Sequence, residues 1–145
     1  MTYAEAVRSM VQGLRLDTAD YQALQELLEQ QFQAALRHGT EDLSELSGRI
    51  TALSQVLEGR RQERMDLSKL LLGGRGMSDR AVSIEAVTLR LPATAQQAFR
   101  SEWRALERQV RRCKELNTRN CRLFMGQFEI MQRVLTPESH TYAPI

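Results

Sequence analysis

Proline is missing from the first 91 residues of this 145-residue chain, and only Pro92, Pro137 and Pro144 follow. Aromatic residues make up 6% and glycine numbers 8. A strand-rich fold needs tight turns and many aromatic or β-branched residues, so this shortage points away from sandwiches and barrels. The remaining bulk of Leu, Arg, Gln, Glu and Ala favours helix. Lysine is also scarce. Of 20 basic residues only Lys69 and Lys114 are lysine, and the formal net charge of +2 is too mild to call for nucleic acid.

The two histidines (His38, His140) and two cysteines (Cys113, Cys121) form no cluster with metal-ligand spacing. No set of side chains suggests a catalytic constellation, so no enzyme, metal site or cofactor is expected. Cys113 and Cys121, eight residues apart on one helix, would stand about 12 Å apart, beyond disulfide reach. Free thiols fit a reducing cytoplasm. No apolar run approaches a membrane span of ~18 residues, so no membrane insertion is expected. The opening MTYAEAVRSM carries Glu5 and lacks the apolar stretch of a secretory signal.

What the chain does have is periodicity. Residues 93–136 hold no proline and one glycine, Gly126. Phe99, Trp103, Leu106, Val110, Cys113, Phe124, Met131 and Val134 recur at alternating steps of four and three, the seam of a long amphipathic helix. At ~1.5 Å per residue it would run about 60 Å, so it must lie against its own chain, a copy of itself or a client. Asn117 and Asn120 fall on successive seam positions. Two readings stand: a buried Asn that fixes register, or a seam kept polar because it is not permanently covered.

Upstream, residues 2–14 and a segment carrying Tyr21, Leu24, Leu28, Phe32 and Leu36 form either two helices, with Asp17 or Thr18 as N-cap, or one helix with a soft middle. His38-Gly39 reads as a stop and Thr40 as the next cap, which folds the chain back as a hairpin. The second long helix has a clean heptad: Leu43, Leu46, Ile50, Leu53, Leu57, Arg60, Arg64, Leu67 and Leu71. Gly48 and Gly59 are expected to bend or fray it, while Arg60 and Arg64 should reach past its rim to acids. Gly73-Gly74-Arg75-Gly76 lacks the GK[ST] of a phosphate loop and reads as a helix stop. Ser83 caps a short helix over 84–89. The fold class is therefore all-α, an elongated antiparallel helical bundle or coiled-coil hairpin with a long C-terminal helix. Residues 1–136 make one domain, and 137–145 a flexible tail. The stretch from Asp17 to Glu45 holds seven acids and one base, and that from Arg100 to Arg122 eight bases and three acids. Packing hairpin on rod would pair them.

The run LNTRNCRLFMGQFE, from Leu116 to Glu129, resembles the FlgN family of flagellar export chaperones, which carries an L-N-x-x-N-G pattern in its last helix. Cys121 stands where glycine is usual. Arg60, Arg61 and Arg64 followed by Leu70-Leu71-Leu72-Gly73 are similar to the family's R…LL…G ending. Tyr142 resembles its T-Y-G element, with Ala143-Pro144 in place of the glycine-containing continuation. The resemblance implies a cytoplasmic type III secretion chaperone. Such a protein binds the terminal amphipathic helices of hook-filament junction (hook-associated) proteins through its C-terminal helix and delivers them to the flagellar export gate or ATPase components. On this sequence the implied contacts are Phe124, Phe128, Met131 and Val134 with Leu123 and Gln127 beside them, Asn117 and Asn120 flanking, and Tyr142 for docking at the export apparatus. A weak homodimer is compatible with this reading. A homo-oligomeric coiled-coil protein without a client is the alternative. A nucleic-acid adaptor using Arg100 to Arg122 is disfavoured by the interleaved Glu102, Glu107 and Glu115.

Overall fold

The computed structural model describes residues 1–74 and 76–135. Helix α1 spans Tyr3–Leu36, α2 Thr40–Leu71, α3 Ile84–Leu89 and α4 Ala93–Leu135, with a single 3-10 turn at Asp79–Ala81 before α3. Consecutive long helices run up, down and up. Ion pairs from Arg60 to Asp17 and from Arg37 to Asp42 align α2 antiparallel to α1. Bonds from Arg15 to Glu102 and from Gln127 to Ala35 align α4 parallel to it. Both α2 and α4 pack along α1, which is the central helix.

The α1 helix is continuous. Thr2 caps it in a reciprocal box with Glu5, and no second start occurs at residue 17 or 18. Thr18 bonds back to the Leu14 carbonyl oxygen at 2.9 Å instead of capping. Asp17 is 1% exposed and takes a guanidinium nitrogen from Arg60 at 2.7 Å and another from Arg64. A mid-helix aspartate with this burial is tolerable only because two arginines neutralise and bond it. Burial alone would push the Arg60 guanidinium down, but its hydrogen bonds to Asp17 and Asp20 outweigh that and hold it above its ordinary value. The acidic stretch is thus met largely by α2. Glu29–Arg119, at 2.9 Å, is the link between the acidic stretch and the basic stretch of α4 among the described ion pairs.

At the α1–α2 turn the left-handed residue is His38 (φ 55), not the glycine after it. The His38 amide donates to Ala35 and the Gly39 amide to Ala34, at 3.2 and 3.0 Å, closing the last turn. Gly39, rather than Thr40, is the N-cap of α2, and no side chain caps it. The same closure ends α2 with Gly73 in the left-handed position (φ 71). Between these ends α2 runs unbroken through Gly48 and Gly59. Every heptad position from Leu43 to Leu71 is at least half-buried.

The core changes along the bundle. At the α1 N-terminal end, Met10, Leu14, Val87, Leu91, Phe99 and Leu106 pack together, and the Tyr3 hydroxyl ties α1 to the Arg90 carbonyl. Ser83 caps α3 through the Ala86 amide at 3.0 Å. In the middle, Leu24, Leu28, Leu57, Cys113 and Leu116 join all three long helices. Towards the hairpin tip the apolar cluster is Leu27, Ala34 and Leu46, from α1 and α2 alone. There α4 is held by polar side chains instead.

Candidate functional site

Those polar ties come from the stretch singled out in the sequence. The Asn120 side-chain amide donates to the Leu28 carbonyl oxygen at 2.7 Å and to Gln31 Oε1 at 2.8 Å. Its own oxygen accepts from Arg119 at 3.1 and 3.2 Å. The Arg119 guanidinium also stacks on Phe32, 3.7 Å from the ring centroid, and bonds Glu29, whose carboxyl it holds below the usual range. Asn120 is 1% exposed. With the helices packed this way its hydrogen-bonding groups are spent on α1, and it sets how α4 lies there, as the register reading of a buried Asn expects.

Asn117 is exposed, and Leu116 takes the buried position. Asn117 is therefore not on the seam. A strict seven-residue repeat drifts by ~20° per heptad on a straight helix, so from Phe99 the contact line has turned by roughly 50° here, which favours Leu116 over Asn117 while Asn120 stays beneath it.

Gln127 donates to the Ala35 carbonyl oxygen at 2.8 Å, at the last turn of α1. Because α1 ends at Leu36 and α4 runs parallel to it, residues 128–135 project past the hairpin tip, on the order of 12 Å. Their apolar side chains are uncovered: Phe128 is 63% exposed, Met131 54%, Val134 66% and Leu135 68%. Leu123, Phe124 and Gln127 are half-buried at the border.

Helical spacing orders these residues into two adjacent rows. Leu123, Gln127, Ile130 and Val134 form one, and Phe124, Phe128, Met131 and Leu135 the other, each at steps of four, three and four. Both rows continue the side of α4 that carries Cys113, Leu116 and Asn120 against α1. The overhang is thus the bundle-facing stripe of α4 carried beyond its bundle. Ile130 and Leu135 were missed by the single-seam reading, although the same spacing contains them. Tyr142 and the proposed tail lie outside the described residues.

Among the described residues no group of three or more His, Cys, Asp or Glu could hold a metal ion. No described helix is long and apolar enough to cross a membrane. Cys113 is buried with its thiol on the Tyr21 carbonyl oxygen at 3.3 Å, and burial pushes it up to about 11.

The family model described as FlgN protein matches residues 1–136. The chain belongs to the FlgN family of flagellar export chaperones. This membership places it in flagellum biogenesis and type III secretion, in a family whose members bind hook-associated proteins. Comparison with curated proteins and with solved structures finds no match. In this FlgN chain the matched region includes the whole overhang.

Proposed function

We propose that this FlgN chain is a non-enzymatic cytoplasmic chaperone that holds hook-filament junction proteins by their terminal amphipathic helices. The holding surface is the two-row overhang of α4, from Leu123 to Leu135. The observation that carries the reading is that an apolar stripe continuous with the packed seam of α4 runs on for two turns with no helix beside it among the described residues. A client helix that normally packs in a polymer exposes a matching stripe as a monomer, and laying one on the other removes both from water. Met125 and Met131 add flexible surface able to fit more than one client. Residues 1–136 form the chaperone domain and 137–145 a tail. Delivery to the export gate or ATPase components, with Tyr142 as the docking residue, belongs to the same reading and rests on family resemblance.

Purification of the tagged chain from motile cells should recover hook-associated proteins. Recovery of none would overturn the proposal. A dimer that persists on dilution, with Phe128 shielded in it, would favour the clientless coiled coil.

A further inference from the structure

A second surface lies well away from the overhang. Because α2 and α4 both pack on α1 and only marginally on each other, a cleft opens between them over the middle of α1. Its floor is largely apolar: Tyr21, Trp103 and Val110 line it, each half-buried, with the Arg64 guanidinium, paired to Asp17, 5.8 Å from the Trp103 ring centroid. Its walls are cationic, with Arg61 on the α2 side and Arg111 and Lys114 on the α4 side. Arg61 is engaged by Glu58 at 2.8 Å. Arg111 and Lys114 have no ion-pair partner among the described residues, and neighbouring Arg112 turns to Glu115 at 3.4 Å. Glu107 is the one acid lining the cleft.

We propose that this cleft is a docking groove for an amphipathic helix of another protein, with its apolar face on Trp103 and Val110 and an acidic edge along Arg111 and Lys114. The shape is that of a missing fourth helix: two antiparallel walls with a third helix beneath. The charge selects the edge, since a cationic or neutral flank would leave Arg111 and Lys114 unmatched. A nucleic acid fits less well, because phosphates would meet Glu107 and leave the apolar floor uncovered. Trp103 precedes Phe128 by 25 residues on α4, about 37 Å, so the groove and the overhang are separate surfaces.

Trp103 is the single tryptophan of the chain, which makes its emission a direct report of the groove. The probe is a monomeric helical peptide of about 20 residues, long enough to span the cleft, with Leu on one face and Glu on both flanks. Titration should move Trp103 emission to the blue and saturate. The double variant Arg111→Glu, Lys114→Glu should weaken the peptide about tenfold or more, and Phe128→Asp should leave it unchanged. In the unmodified chain the affinity should also fall as NaCl rises from ~50 to ~300 mM, which tests the charge without any variant. The inference is overturned by an unresponsive Trp103 or by an equal response to a peptide carrying Lys in place of Glu. It is equally overturned by binding that Phe128→Asp abolishes, or by a DNA duplex that displaces the peptide at equal charge.

Discussion

Gln127 donates its side-chain amide to the Ala35 carbonyl oxygen at 2.8 Å, the same oxygen that receives the His38 amide at 3.2 Å. That bond marks where α4 leaves its own bundle. Before it, α4 side chains are spent on α1. After it, the same stripe has no described residue of another helix beneath it. The boundary separates residues whose loss should unfold the protein from residues whose loss should only disarm it.

Phe128→Asp lies just beyond the boundary. Thermal unfolding should change by no more than about 0.5 kcal/mol, because the side chain is already 63% exposed. Binding of a junction protein's terminal helix, followed by calorimetry, should weaken at least about tenfold. A large loss of stability would instead mark Phe128 as interior. Phe124, half-buried, is a poorer choice because its substitution would mix the two effects.

Asp17→Ala removes the shared acceptor of Arg60 and Arg64 and should cost about 3–5 kcal/mol in denaturant unfolding. Most of that comes from leaving Arg64 without its carboxylate and Arg60 with Asp20 alone. Replacing all three together (Asp17→Leu, Arg60→Leu, Arg64→Met) should therefore recover much of the loss. A cost under about 1 kcal/mol for the single change would contradict the role assigned to Asp17.

Much of this architecture can be read from residue order, and the failures have physical causes. The α2 heptad from Leu43 to Leu71 and the uninterrupted α4 were both legible, since apolar spacing is set by helix geometry alone. At Asp17 one helix or two stayed open, because an acid ahead of an apolar repeat looks like an N-cap. Its true partners lie 43 and 47 residues away on another helix. Asn117 was misplaced by a 3.5-residue period applied to a 3.6-residue helix. An uncovered end of α4 was anticipated from its polar seam, but its extent could not be read: that depends on where α1 stops relative to α4, which spacing within α4 does not contain.

His38 holds the left-handed position that glycine fills at the other end of α2. His38→Gly should therefore raise stability by about 0.5–1 kcal/mol, measured by thermal melting. A loss would show that the imidazole makes a contribution beyond backbone geometry.

The two thiols should separate cleanly. At pH 8 a thiol reagent should modify exposed Cys121 in the folded protein and reach Cys113 only on unfolding. Because the folded Cys113 thiol holds its proton up to about 11 against an ordinary value of 9.0, the unfolded chain loses that proton first. Stability should therefore be unaffected by this group below pH 9 and fall as pH rises from about 9 to 11. The Cys113→Ala variant should lack that alkaline component.

Amide hydrogen exchange over residues 121–135, with and without a junction protein's terminal helix, tests the central claim most directly. The account predicts rapid exchange from 128 to 135 in the free chain at every concentration, slower exchange before Gln127, and strong protection of 128–135 once the helix is added. Full protection of 128–135 in the free chain, or no change on adding the helix, would contradict it.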